Sequence, residues 1–448
     1  STNKSLWRLD SYTARANYSY KDRYLLSLTT RLDGSSRFGD GNKYGFFPSL
    51  AFAWRVIEED FMKQQNTFSD LKLRLSYGRT GNAEVPLYQS LFKLGTTGNF
   101  DYVFNNSRAV GIGAQGIPNP DLKWENTESY NAGLDFGVFN NRLNFNVDAY
   151  YKLTSDLLLG RTIPASSGFS SFFGNFGQVE NKGLEFGLTG VIVNRNDFTW
   201  NVSSNISFNR NKLVKLDGNQ TQIIPAENSG GNAAFSNNSV LRIGEPVGSF
   251  FGYVFDGIWQ KTDNIATSHM PSSIPGNSRY KDVNGDNKLT DADRVIIGNP
   301  NPDFIYAFST NMTYKKFDMS LFMQGVQGNQ VFNVVSRLLE TAGGGGNQRA
   351  EMVNRWTPTN PSNSYIVASR SQRLPQSNKF IEDGSFLRLK NISVGYTIVQ
   401  KSQSKIRLYF SANNLFTITK YWGFDPEVNT AGQSDVTNYG IDNGGFPV

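Results

Sequence analysis

The stretch Asp282 to Asp293, DVNGDNKLTDAD, brings oxygen donors together at Asp282, Asn284, Asp286, Thr290 and Asp293, with the Lys288 carbonyl between them. That spacing matches the donor positions of a calcium loop. Asn287 stands where such loops carry glycine, and asparagine tolerates the left-handed backbone needed there. Asp293 takes the place of the closing glutamate, with a shorter reach. No helical pattern flanks the stretch, so an EF-hand domain is not implied, and a polar turn rich in Asx residues is the plainer alternative. The expectation is a divalent ion, calcium, stiffening a loop.

The other candidates are weaker. GIGAQG, Gly111 to Gly116, fits a dinucleotide fingerprint, but no strand precedes it and IPNP follows, so no helix opens there. The run Gly343 to Gly346 lacks the Lys-Ser/Thr of a phosphate loop and reads as a flexible connection. Glu58 and Glu59 are neighbours on a short connector and read as solvated. His269 is the only histidine and there is no cysteine, which disfavours a Ser-His-Asp triad, a His-based zinc site and any disulfide. Aromatic side chains at Phe172, Phe173, Phe250, Phe251, Tyr253, Phe255 and Trp259 fall in long connections. Of these, Phe172, Phe173, Phe251, Tyr253 and Trp259 are the candidate ligand contacts, since sugar rings stack on such faces; packing of the loops is the competing use. Nothing in the chain reads as catalytic.

The elements that must position these residues are strands. In Phe304 to Gly325, Phe304, Tyr306, Phe308, Met312 and Tyr314 alternate with Ile305, Ala307, Ser309, Asn311 and Thr313. After Lys315-Lys316 the alternation resumes with Phe317, Met319, Leu321 and Met323 on the apolar face, Phe322 being the exception. This is a hairpin with one greasy and one polar face. The same design recurs from Tyr12 to Leu32, Tyr44 to Arg55, Leu71 to Tyr77, Glu125 to Phe139, Leu143 to Tyr151, Leu184 to Phe208 and Phe386 to Leu415, about twelve strands in all. Connectors alternate in length: short at Lys21, 56–70, Asn140, Asn194, Lys315 and 399–404, long at 33–43, 79–124, 155–175, 209–303 and 326–383. Short turns on one side and long loops on the other are the habit of outer-membrane barrels, whereas soluble sandwiches mix the two. Aromatics near the short turns, among them Tyr18, Tyr20, Tyr24, Trp54, Phe198, Trp200, Tyr314 and Phe317, fit an interfacial girdle.

Composition agrees. Mean hydropathy is −0.43 and no apolar run approaches the ~18 residues of a spanning helix, which excludes a helical membrane protein but not a barrel whose lumen positions are polar. The formal charge of +6 is spread singly over the chain without a basic cluster, so nucleic acid is not an expected partner. The polar-face residues Arg15, Arg31, Lys72, Arg74, Asn144, Asn146, Asp148, Asn201 and Asn205 are expected to meet water or a plug. The fold class expected is all-β, an antiparallel transmembrane β-barrel with long extracellular loops.

Seven segments carry a family resemblance: LKLRLSYGRTGN (71–82), NPDLKWE (119–125), NFGQVENKGLEFGL (175–188), DVNGDNKLTDADR (282–294), RWTPTNP (355–361), FIEDGSFLRLKNISVGYT (380–397) and FSANNLFTITKYWGFDPEV (410–428). Together, in this order, they resemble the SusC/RagA family of TonB-dependent outer-membrane transporters of Bacteroidota. The resemblance implies a barrel of 22 strands holding a plug, a SusD-like lipoprotein lid, and import of glycan oligosaccharides or peptides powered through TonB–ExbB–ExbD. It also implies that residues 1–448 form the C-terminal part of the barrel, with plug and first strands supplied elsewhere and lipid around the wall. The alternatives are a siderophore-type TonB-dependent receptor, or a soluble or surface β protein that binds carbohydrate.

Overall fold

The computed structural model describes residues 4–96, 100–169, 171–218, 220–224, 238–341, 347–368, 374–401, 404–428 and 439–444; the Gly343 to Gly346 run lies outside them. Twelve long strands form one antiparallel sheet: β1 (Leu9–Tyr20), β2 (Tyr24–Ser35), β3 (Tyr44–Arg55), β4 (Phe68–Asn82), β5 (Glu125–Val138), β6 (Leu143–Ser155), β7 (Gln178–Arg195), β8 (Phe198–Lys215), β9 (Phe304–Tyr314), β10 (Phe317–Gln327), β11 (Phe386–Lys401) and β12 (Ser404–Thr419). Their order in the sheet is their order in the chain, as an up-and-down meander requires. Among the described residues no helix is long and apolar enough to cross a membrane.

The chain divides into two compact units. The first holds residues 1–221, 306–322 and 391–412 and contains most of the sheet. Its large apolar side chains are not inside. Leu28 is 46%, Leu134 37% and Phe308 39% exposed, while on the opposite face Asp135 is tied to Lys72 at 2.8 Å and Thr29 faces the same side as Arg31. Period-2 alternation has therefore turned the greasy stripe towards the surroundings and the polar stripe the other way, which is stable only where the surroundings are lipid. The soluble alternative would need the reverse.

Tight turns close the hairpins with residues that accept positive φ: Lys21 and Asp22, Asn140 and Asn141, and Lys315. The connector at 56–67 contains two 3-10 turns, Val56–Glu58 and Asp60–Met62; Glu58 is exposed as expected, but the expectation of a solvated side chain fails at Glu59. Glu59 accepts hydrogen bonds from the Tyr24 hydroxyl at 2.7 Å, the Trp54 indole at 3.0 Å and Arg23 at 3.1 Å. It pins the connector across β2 and β3, and these donors hold its carboxyl below the usual range. Glu58 pairs with Arg55.

A small core of this unit sits on the polar face of the sheet, where Phe38, Phe47, Val85, Leu122 and Trp124 pack together. Gly45 and Gly81 flank Phe47, and a Cβ at Gly81 would come within 2.1 Å of the ring, so only glycine lets the ring lie flat on the sheet. Residues 79–124, expected as one long irregular loop, instead begin with the last four residues of β4 and then carry two short hairpins, Leu94–Gly95 with Gly113–Ala114 and Tyr102–Phe104 with Ser107–Ala109. GIGAQG thus contains only the two-residue strand Gly113–Ala114, with no helix after it.

The second unit holds residues 222–305, 323–390 and 413–448. Its core is dry: Phe250, Ile258, Phe332, Val334, Trp356, Ile366, Leu374, Phe380 and Ile441 pack as one cluster. The elements around it are short, including the strand pair Ser239–Arg242 with Ser249–Gly252, Val295–Gly298, and the helix α1 (Val334–Glu340) capped by the Asn333 side chain on the Ser336 N–H.

Candidate functional site

On the polar face, ion pairs link strands that are adjacent or separated by one strand. Arg74 of β4 reaches Asp135 of β5 at 2.8 Å and Asp148 of β6 at 2.9 Å, while Lys72 takes the other oxygen of Asp135. Gly133, between them on β5, leaves the space over which the Arg74 guanidinium lies. Arg407 of β12 pairs with Asp318 of β10, its Nε 2.8 Å from Oδ1. The sequence marked Arg74, Lys72 and Asp148 as polar-face residues; the structure shows them bound to one another, so each cation already has a carboxylate. Asn146 lies beside Gly187. The face is polar, fixed and nearly charge-balanced, which suits a wall lining an aqueous bore.

The loop 282–293 belongs to the second unit. Asp282 accepts from the backbone N–H groups of Gly285 at 2.7 Å and Asn287 at 2.8 Å, Asn284 from Asp286, and Asp286 from Lys288. Asn287 adopts φ of 60° and Gly285 of 76°, the left-handed bend anticipated for Asn287. Asp293 closes the loop, accepting from Val283 at 2.9 Å and from Thr290 at 2.7 Å. Thr290 caps the 3-10 turn Asp291–Asp293 in a reciprocal capping box. Burial pushes the Asp293 carboxyl up, but the backbone donors outweigh it and its pKa lies below the ordinary value. Among the described residues no group of three or more His, Cys, Asp or Glu side chains is gathered to hold a metal. In this geometry the loop's carboxylates face backbone N–H groups, and half of the anticipated donors are Asn, Thr and a carbonyl.

The candidate aromatics separate into two kinds. Phe251 and Trp259 are buried, as are Phe250 and, near them, Tyr280. The guanidinium groups of Arg242 and Arg294 lie over the Phe251 ring, 5.2 and 4.6 Å from its centroid. These serve packing. Tyr253 is half-buried, its hydroxyl donating to Asp291 at 3.1 Å; burial and then the Asp291 charge push its pKa up to about 12. In the first unit, Phe172 and Phe173 lie half-buried in the hairpin Leu158–Thr162 with Ser171–Asn175. His269 is a loop staple, its Nε2 2.6 Å from the Tyr280 carbonyl and its ring 6.1 Å from that of Trp259.

One cluster escaped the sequence reading. Arg388 and Lys390, two apart on β11, meet Asp425 and Glu427, two apart after β12: Arg388 lies 2.6 Å from Asp425 and 2.5 Å from Glu427, and Lys390 2.7 Å from Glu427. The matching i, i+2 spacing of opposite charges in FLRLK and FDPEV was the available signal. Tyr421 also donates to Asp442 at 2.5 Å; burial, then that bond, raises the Tyr421 pKa.

A family model described as "TonB dependent receptor-like, beta-barrel" matches residues 2–415. The chain belongs to that family. The "TonB-dependent receptor P3" of Formosa agariphila is 39% identical over 452 residues, an alignment covering 98% of this chain and 44% of the relative. The "TonB-dependent receptor SusC" of Bacteroides thetaiotaomicron is 33% identical, with 94% of this chain and 42% of the relative covered. The solved structure of the RagAB peptide transporter superposes with a TM-score of 0.78 at 27% identity, over 97% of this chain and 46% of that one. The chain thus spans less than half the length of the curated relatives it matches. The SusC/RagA resemblance of the motifs is borne out, and this TonB-dependent receptor barrel is an outer-membrane structure whose apolar face is its lipid face.

Proposed function

We propose that these 448 residues are the C-terminal wall and outer loops of an importer that passes oligomeric nutrients, glycan oligosaccharides or peptides, through the outer membrane. A plug and further strands outside this sequence complete it, TonB–ExbB–ExbD supplies the energy, and a SusD-like lipoprotein is the partner on the outer side. The work is binding, gating and passage, without a catalytic step. The observation carrying this reading is the two-faced sheet: exposed apolar side chains on one side and paired Arg, Lys and Asp on the other. The similarity to SusC and to the RagAB peptide transporter supports it. Uptake of labelled oligosaccharides and labelled peptides by cells with and without the receptor tests it. One class should enter only when receptor and TonB are both present; uptake that ignores removal of either contradicts the reading. A lipoprotein should also co-purify with the receptor.

The loop 282–293 is read as a calcium site that stiffens its unit, on the strength of its donor spacing and the left-handed Asn287. Chelation should then speed proteolysis of the loop, and an unchanged cleavage rate removes the idea.

A further inference from the structure

We propose that the polar face of the first unit carries a binding cavity for a pyranose ring of a neutral oligosaccharide, with Trp7 as its stacking platform. Trp7 lies just ahead of β1 and is 50% exposed. Its backbone is clamped on both sides. The Leu6 N–H donates to the Tyr88 hydroxyl at 2.8 Å, and that hydroxyl donates to the Leu6 carbonyl at 3.1 Å. The Arg8 N–H donates to the Ser36 hydroxyl at 2.9 Å, and the Ser36 N–H to the Arg8 carbonyl at 3.0 Å. The Arg37 guanidinium lies over the indole, 4.8 Å from its centroid, and is itself held by the Ala83 and Val85 carbonyls at 3.2 and 3.1 Å. A large aromatic ring fixed in place yet left half in water forgoes the gain of burial. Its open area is the part a ligand would cover.

The ring borders a cavity of about 650 Å³, within the ~300–1,000 Å³ usual for small-ligand sites. The buried rings of Phe47 and Trp124, 5.3 Å apart, border it too. Thr29 and Ser49, opposite each other on β2 and β3, and Thr80 on β4 add hydroxyls, which both donate and accept. The charges along the cavity nearly cancel. Arg31 is held by Asp33 at 2.7 Å, Arg79 stands opposite Glu128 in the strand register, and Arg37 and Glu84 carry opposite signs. No net charge therefore selects an ion. A pyranose matches this lining: its C–H face lies on an indole, and its hydroxyls answer the threonine, serine and carboxylate groups. An extended peptide would seek a free strand edge, but β2, β3 and β4 each have neighbours on both sides. The cavity sits where β2 and β4 run into their long connections. That is the side from which cargo arrives on the importer reading, and this inference rests on that reading for its purpose.

The test uses the complete receptor, purified in detergent and titrated over an array of immobilised neutral hexose and pentose oligosaccharides, with an array of peptides beside it. The wild type should be retained by oligosaccharides. Trp7→Ala should weaken that retention about tenfold, whereas Trp7→Phe, which keeps an aromatic face, should weaken it less than about threefold. Arg37→Gln, which frees the ring from its brace, should fall between the two. Heat-modifiable mobility on gels shows that each variant is folded. No oligosaccharide retained by the wild type, retention unchanged by Trp7→Ala, or peptide retention that depends on Trp7 overturns the proposal. The importer reading is judged separately, by TonB-dependent uptake in cells: uptake of peptides with no oligosaccharide bound would sink the cavity and leave the importer standing.

Discussion

The two units solve the burial of apolar surface in opposite ways. In the strand wall of the first unit, Leu28, Leu134 and Phe308 stay uncovered by protein, and the residues that contact one another closely are Arg74, Asp135 and Asp148. In the loop unit, Phe250 and Phe332 are fully buried, their rings 5.8 Å apart. The second is the arrangement of a water-soluble domain, where the hydrophobic effect drives packing. The first gains nothing from burying a leucine, since lipid tails are as apolar as protein. One chain is thus written for two solvents, and the hydropathy pattern changes meaning where the solvent changes.

Substitutions that exchange these rules should break the comparison most sharply. Phe332→Ala should cost the loop unit about 3–5 kcal/mol through the cavity it leaves, read as faster proteolysis of residues 238–305 while the strand wall keeps its heat-modifiable mobility. Leu134→Arg, harmless in length and propensity, should destabilise the wall by about 2–4 kcal/mol because it puts a charge near the bilayer centre, measured by unfolding in liposomes. Asp293→Asn sharpens the loop side of the contrast. A depressed folded pKa means that Asp293 contributes stability above its unfolded pKa, and that this is lost as pH falls through the folded value. Loop protection against an acid-stable protease should therefore fall below about pH 4 in the wild type and depend less on pH in the variant. Leu28→Ala should have the smallest effect, below about 1 kcal/mol, since lipid fills the space the side chain leaves.

How much of this was legible in the sequence follows the same division. The strands were readable because a two-residue period needs no knowledge of distant partners: Phe304–Tyr314 and Phe317–Gln327 fall where the alternation put them. Their outer ends were not. The alternation ran out at Phe208, yet β8 continues to Lys215, because beyond the bilayer the outward residues become Arg210 and Lys212 and no longer mark a face. The loop unit was read as interruption, since the packing of Phe250 on Phe332 joins residues far apart in the chain and leaves no local period. The turn geometry of the 282–293 loop was legible down to Asn287, because Asx turns are local. Glu59 was misread for the opposite reason: its donors, Tyr24 and Trp54, come from two other segments.

The direction of the greasy stripe is the central claim, and a chain without cysteine allows it to be measured by single-site labelling. Spin labels attached after Leu28→Cys, Leu134→Cys or Phe308→Cys in the membrane-embedded receptor should be relaxed by oxygen dissolved in lipid and shielded from a water-soluble nickel chelate. Labels at Thr29→Cys and Asn311→Cys should show the reverse preference. Nickel accessibility at 28, 134 and 308 equal to that at 29 and 311 would contradict the account.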